Sequence, residues 1–168
     1  MDCFFVALER LKNPSLKGKP VAVGGDPEVG RSVVTSASYE ARKFGIHSAM
    51  PMAVAIRRCP ELVVVPTDFD LYDHYHFRVK EIFQSFSPVV EMTSIDEGYI
   101  DLSGTERLWG GPMEAGERMR WTIKQLTQLD CTVGLASTKL TAKIASDEAK
   151  PKGLLWVPVG AEAHFLAP

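Results

Sequence analysis

Between Pro88 and Leu102 the chain permits little but a β-hairpin with acids at its tip. Pro88-Val89-Val90-Glu91-Met92-Thr93 and Tyr99-Ile100-Asp101-Leu102 are rich in β-branched or aromatic residues, the composition of strands. Ser94-Ile95-Asp96-Glu97-Gly98 joins them. In a straight strand neighbouring side chains face opposite ways, so either Asp96 or Glu97 would enter the core. A buried, unpaired carboxylate is very costly there. Two outcomes avoid that cost: the chain turns or bulges so that both acids reach solvent, or a cation binds them. A turn beside Gly98 fits the first and a divalent metal the second. Taken alone, an acidic pair in a turn is more often simply polar turn chemistry.

The flanking chain sets the fold class. Phe4 to Lys12 carries Phe4, Leu8 and Leu11 at helical spacing, with Asp2 where an N-cap would stand and Asn13-Pro14 as the stop. Val21-Ala22-Val23 predicts a buried strand closed by Gly24-Gly25, Asp26 to Gly30 a loop, and Ser32 to Ser36 a second strand paired with the first. Ser38 is placed to cap a short helix. Pro51 starts another through Ile56, and Leu62 to Val65 is a third strand. Phe69 to Phe86 is strongly helical, with Tyr72, Tyr75, Val79, Ile82 and Phe86 in one stripe. After the hairpin come a loop at Gly104 to Pro112 and a helix from Met113 to Leu129 with Met119, Ile123 and Leu126 inward. A strand at Cys131 to Ala136, a helix capped by Thr138 that reaches Ala149, a strand at Leu154 to Val157 and a short amphipathic tail complete it. Strands and helices alternate, but the central pair is a hairpin. That predicts an α+β fold, a mixed or antiparallel sheet with helices on one face, rather than a doubly wound parallel sheet.

An apolar fraction of 45% over 168 residues supports a real core in one domain or two small ones. The net charge of −2 excludes a surface that is basic all over, so any nucleic-acid contact must be local or supplied by other parts. Cys3, Cys59 and Cys131 lack metal-type spacing and are expected as reduced thiols in a cytoplasmic protein. Nothing reads as a signal peptide or a membrane span. His47, His74, His76 and His164 show no ligand spacing.

Four blocks stand in register around Ser-Ile-Asp-Glu: Met1-Asp2-Cys3-Phe4-Phe5-Val6-Ala7-Leu8-Glu9, Ser38-Tyr39-Glu40-Ala41-Arg42-Lys43-Phe44-Gly45, Ala142-Lys143-Ile144-Ala145-Ser146-Asp147 and Lys150-Pro151-Lys152-Gly153. Together they resemble the palm and fingers of the Y-family DNA polymerases, in particular the bacterial DNA polymerase IV branch that copies damaged templates. The likeness covers nearly the whole chain. It implies a ferredoxin-like palm from residues 1–3 and 68–168, with its N-terminal strand truncated, and an α/β fingers insertion over residues 4–67. On this likeness the thumb and little-finger domains are expected to be absent from this sequence. It implies a DNA-directed DNA polymerase that joins a dNTP to a primer 3′-OH by two-metal transfer, with two Mg²⁺ ions or Mn²⁺ in their place. Primer-template DNA and dNTP are the expected partners, with a sliding clamp reached through the absent C-terminal regions.

The residues suit such chemistry in their own right, with plainer readings beside each. Carboxylates suit Mg²⁺, which takes oxygen ligands. By resemblance Asp96 and Glu97 are catalytic, Asp96 shared by both metals and Glu97 helping to hold the catalytic one, with the Met1 backbone carbonyl beside them. Tyr39 and Arg42, three apart, share a helix face and offer a phosphate clamp; an exposed Arg stacked on a Tyr explains them equally well. Lys139, Lys143 and Lys150 are placed by spacing on one helix face, the usual mark of a solvated basic stripe. By resemblance Lys150 is the triphosphate lysine, Tyr39 and Arg42 grip the same group with help from Ser36, and Cys3, Phe4 and Phe5 line the nucleotide pocket. Phe5 would be the steric gate against a ribose 2′-hydroxyl; periodicity alone makes Phe4 and Phe5 two core aromatics.

The family motif has a further aspartate before Met1, the third metal ligand, which this sequence does not show. Asp2 would be a poor substitute, lying one residue along a strand and so on the opposite face. The expectation is therefore a fragment with little or no activity of its own. A non-catalytic adaptor in DNA-damage response is the rival reading, which has no use for a triphosphate clamp. A nucleotidyl cyclase is another, and it would want a Gly-Gly-acidic hairpin instead.

Overall fold

Val21–Gly24, a run with no polar side chain, forms β1 at the centre of a three-stranded sheet and is buried along its whole length. β2 (Val34–Ala37) pairs with it antiparallel, Ala22 opposite Ala37, and β3 (Val63–Val65) pairs parallel, Val21 opposite Val63. The register slips between Val23 and Gly24, where a Cβ on Gly24 would lie 2.3 Å from the Val33 carbonyl oxygen. Only glycine lets β1 pass there. The computed structural model describes residues 1–26 and 29–167. Pro27 and Glu28 of the expected Asp26–Gly30 loop, and Pro168 of the tail, lie outside the described residues.

The described chain divides into two units, Cys3–Tyr72 and Met1–Asp2 with the chain from Asp73 onward. The first holds the β2-β1-β3 sheet and α1 (Phe4–Lys12), which buries Phe4, Val6 and Leu8. α1 starts and stops at the expected residues, but its cap is a correction. Cys3, at φ 47°, is the N-cap and gives no side-chain hydrogen bond. Asp2 bonds elsewhere, as described below. A 3-10 turn follows at Pro14–Leu16, with the Asn13 side chain accepting from the Ser15 amide. Ser38 caps α2 (Tyr39–Arg42) as expected, its Oγ accepting from the Ala41 amide at 3.1 Å. α3 (Met52–Arg58) outruns the expected Ile56 by two residues and stops before Cys59-Pro60. Val34, Ile46, Met50, Met52, Ala55 and Cys59 form the core against one side of the sheet.

α4 (Phe69–Phe86) has the bounds its periodicity predicts, and the division between units falls inside it. In the second unit its Val79, Ile82, Phe83 and Phe86 are buried. β4 (Val90–Met92) and β5 (Gly98–Ile100) form the hairpin, Glu91 opposite Tyr99. The expected loop at Gly104 to Pro112 instead contains a short helix, α5 (Glu106–Trp109), fixed where the Trp109 indole N–H donates to the Phe86 carbonyl at 2.8 Å. α6 (Pro112–Thr127) buries Met119 and Ile123 but leaves Leu126 54% exposed. Thr127 takes the inward place of the last turn, its hydroxyl donating to the Ile123 carbonyl.

β6 (Val133–Leu135) and β7 (Leu154–Trp156) pair parallel across α7 (Lys139–Glu148). α7 lies so close on β6 that a Cβ at Gly134 would sit 2.0 Å from the Ala142 carbonyl oxygen and 2.4 Å from the Ser146 nitrogen. β4–β5 and β6–β7 are separate two-stranded sheets. α8 (Glu162–Phe165) is the last element among the described residues. α7 closes at Glu148, so Lys150 lies beyond the helix and the three lysines do not share one helix face. Among the described residues no helix is long and apolar enough to cross a membrane.

Candidate functional site

The hairpin tip is built by its own polar groups. The Thr93 and Ser94 amides both donate to the Glu97 carbonyl, at 3.0 and 3.3 Å. The Ser94 hydroxyl donates to Asp96 Oδ1 at 3.1 Å and receives the Asp96 amide at 3.4 Å. That turn keeps both acids out of the core, with the side chains of Asp96 and Glu97 28% and 40% exposed. Cations approach as well. Lys143 Nζ lies 2.6 Å from Glu97 Oε1, and the Met1 nitrogen donates to the Asp96 carbonyl at 2.8 Å. The first outcome weighed from the sequence, a turn that carries both acids to solvent, is therefore present, and the Lys143 ammonium pairs with Glu97. Burial works against charge on Lys143, but the hydrogen bond and charge of Glu97, with Asp147, outweigh it and raise the ammonium's pKa above the ordinary lysine value.

Spacing treats Lys139, Lys143 and Lys150 alike, and the family resemblance singles out Lys150 over Lys143. The signal was available, since Lys143 stands inside one of the four blocks. Lys150 Nζ pairs with Asp147 Oδ1 at 2.8 Å, and Lys139 pairs with Glu91. Asp96, Glu97, Lys143 and Lys150 nevertheless line one cavity of about 530 Å³, with Trp156 on its wall. Lys150 is exposed and its ion pair is weak, worth ~0–1 kcal/mol.

Asp2 is 6% exposed and fully engaged. Its carboxylate accepts from the Thr132 hydroxyl at 2.9 and 3.0 Å and from the Lys152 amide at 2.8 Å, while its own amide donates to the Asp130 carbonyl. It thereby ties the turn that follows Lys150 to β6. Replacing Asp2 with alanine strands two donors and is expected to cost about 2–3 kcal/mol in urea unfolding; Asp2→Asn, which keeps an acceptor, should lose less than half of that. Next to it, burial pushes the Cys131 thiol up to about 11, so it stays protonated at neutral pH.

The other predicted residues gather in the first unit. The Ala37 carbonyl accepts from Cys3 Sγ at 3.3 Å and from Arg42 Nε at 3.1 Å, which places the start of α1 beside α2 and next to Ser36. Arg42 Cζ stands 5.1 Å over the Tyr39 ring, the stacking that simple packing predicts. The terminal nitrogens of Arg42 carry no hydrogen bond among the described residues. Phe4 is buried at 3% exposure, while Phe5 keeps part of its ring open and stacks on Tyr72, centroids 4.2 Å apart and planes at 18°. Spacing did not single out Tyr72 as more than a core residue. Its hydroxyl donates to Glu9 Oε1 at 2.7 Å.

Burial, then the Glu9 hydrogen bond, hold the Tyr72 phenol well above its ordinary pKa. A raised pKa means that the folded state keeps a proton which the unfolded chain releases above about pH 10. Stability should therefore fall by about 1.4 kcal/mol per pH unit above that point on account of this group. Tyr72→Phe should flatten that part of the slope in denaturation curves taken from pH 9 to 11.

Comparison with known proteins decides the family. Residues 1–147 match the model of the impB/mucB/samB family. The chain belongs to the impB/mucB/samB family. Among relatives of this family, DNA polymerase IV of Dehalococcoides mccartyi strain CBDB1 is 44% identical over 168 residues, which is 100% of this chain and 43% of the relative. DNA polymerase IV of Halorhodospira halophila strain DSM 244 / SL1 is 46% identical over 158 residues, 94% of this chain and 44% of the relative. The crystal structure of DinB from Sulfolobus solfataricus superposes with a TM-score of 0.89 at 30% identity, covering 98% of this chain and 48% of that one. The insertion ternary complex of Dbh DNA polymerase gives 0.89 at 31%, covering 98% and 49%. The Y-family resemblance read from the four blocks holds, and so does the α+β class. The chain spans under half the length of the relatives it matches.

Proposed function

We propose that this chain is the palm and fingers of a lesion-bypass DNA polymerase that joins a dNTP to a primer 3′-OH on a DNA template, by two-metal nucleotidyl transfer. The observation that carries the reading is the family match over residues 1–147 together with one cavity lined by Asp96, Glu97, Lys143 and Lys150. Among the described residues no three His, Cys, Asp or Glu side chains gather as a metal site. Two carboxylates are nonetheless enough for Mg²⁺, which completes its shell with phosphate and water. The donor set here is hard oxygen at a partly open turn, so it fits. Asp96, Glu97 and the Met1 carbonyl are the groups assigned to hold the ions. Bound Mg²⁺ would stabilise charge on the phosphoryl oxygens and favour an ionised primer hydroxyl.

The chain's own side chains do the rest. Arg42 is oriented by its Nε bond to Ala37, which leaves its planar fork for phosphate oxygens, and the Tyr39 hydroxyl joins it. Lys150 can leave its weak pair with Asp147 for the triphosphate. Lys143 holds Glu97 and lowers the cost of two adjacent negative charges. Cys3 and Phe4 shape the start of α1 and Ser36 the neighbouring strand, with Phe5 as the wall against a ribose 2′-hydroxyl. Template DNA, dNTP, a sliding clamp and a cytoplasmic location complete the proposal.

The test is a titration of dCTP into the chain with and without Mg²⁺ or Mn²⁺, followed by Trp fluorescence, since Trp156 lines the cavity. Metal-dependent, saturable quenching supports the polymerase reading. A flat response in both metals overturns it in favour of an adaptor.

A further inference from the structure

We infer that Glu9 is a positioning residue for sugar selection, acting through Tyr72 on Phe5. This rests on the reading of Phe5 as the wall of the sugar pocket. Glu9 is 4% exposed, yet no ion pair reaches it among the described residues. A carboxylate so placed is costly unless hydrogen-bonded. Its one side-chain hydrogen bond among the described residues comes from the Tyr72 hydroxyl, at 2.7 Å. Tyr72 is itself 0% exposed. Phe5 and Glu9 are four apart on α1 and so lie on one helix face. The Tyr72 ring spans both, its hydroxyl on Glu9 and its face on Phe5 at 4.2 Å.

Phe69, one turn earlier on α4, meets Phe5 edge-on at 6.3 Å and Tyr72 at 5.8 Å. Phe5 is thus held on a face and on an edge. Stacking alone fixes the spacing of two rings but lets them slide and tilt together. A bond to a carboxylate is charge-assisted and directional, and it removes that freedom from Tyr72. A wall that must refuse one hydroxyl has to hold its place to about 0.5 Å. Glu9 has no contact with a nucleotide in this scheme; it sets how firmly Phe5 resists one.

The experiment compares Tyr72→Phe, Glu9→Gln, Glu9→Leu and Phe5→Ala in the intact chain, each checked for folding by its unfolding midpoint. Two readouts are taken: Phe5 ring exchange by aromatic ¹³C NMR, and the ratio of CTP to dCTP dissociation constants with Mg²⁺. Tyr72→Phe and Glu9→Leu should each speed Phe5 exchange and lower the ratio about tenfold, with dCTP affinity changed less than twofold. The double variant should be no worse than either single one. Glu9→Gln, which retains an acceptor, should recover most of both. Tyr72→Phe removes one oxygen and little else, so it remains informative even if Glu9→Leu does not fold. If Phe5→Ala abolishes the discrimination while Tyr72→Phe leaves exchange and ratio unchanged, the Glu9 inference is wrong and the Phe5 reading stands. A wild-type ratio near one, or a ratio untouched by Phe5→Ala, sinks the reading of Phe5 and the inference with it.

Discussion

Replacing Asp96 with asparagine is expected to weaken Mg²⁺-dependent dNTP binding by at least about 100-fold, the scale set by losing a metal-directed carboxylate. The fold should not notice. Asp96 sits at a hairpin tip with its side chain 28% exposed, and its bond from Ser94 survives on an amide oxygen. Unfolding free energy should stay within about 0.5 kcal/mol of wild type. The same titration in EDTA should show wild type and variant alike, because on the proposed reading Asp96 acts on the nucleotide only through the metal. If metal dependence persists undiminished in the variant, Asp96 is not a ligand and the two-metal proposal loses its centre.

The second large effect is on stability. Gly134→Ala puts a methyl group 2.0 Å from the Ala142 carbonyl and 2.4 Å from the Ser146 nitrogen, both main-chain atoms of α7 that no rotamer change can move aside. Overpacking against backbone should cost about 3 kcal/mol or more, read as a lower urea midpoint. The effect reaches the site, since α7 carries Lys143 and lifting it from β6 moves the ammonium away from Glu97. Lys143→Met on the wild-type backbone separates the two consequences. It should leave the midpoint nearly unchanged, as expected for a half-exposed pair. A loss below 1 kcal/mol in Gly134→Ala would show that α7 is free to shift.

What the sequence told, and what it did not, divides by range. α1, α4, the hairpin and the caps at Ser38 and Thr138 were legible because their causes lie within four residues: an apolar stripe, a hydroxyl three before an amide, acids beside a glycine. Asp2 was misread as a cap because it has the right residue type at the right place. Its real partners, Thr132 and Lys152, are 130 and 150 positions away. α5 was hidden in a glycine-rich stretch and is fixed by one tryptophan bond to Phe86. At the hairpin tip, the turn that carries Asp96 and Glu97 to solvent was legible from the cost of burying charge, while a metal-binding role for them comes from the resemblance alone. The Lys143 pairing with Glu97 was not legible, since helical spacing orders residues along α7 and says nothing of what α7 faces. Nothing in the spacing of α1 marks Glu9 as buried, because the Tyr72 hydroxyl that covers it lies 63 positions away.

The interrupted path of the chain bears on how it is made. Cys3–Tyr72 is contiguous, so a ribosome releases every residue of that unit before any of α6 or β7 exists. Such a segment can begin to fold early, at the pace of synthesis. Asp2 is translated ahead of that whole unit, yet its carboxylate has no partner until Thr132 emerges and is not fully bonded until Lys152 follows. Closing that loop is the slowest kind of contact for a chain to find. The residues that flank the acidic turn are therefore locked in place among the last, and a nascent chain stalled before Lys152 would carry a finished first unit beside an open second one.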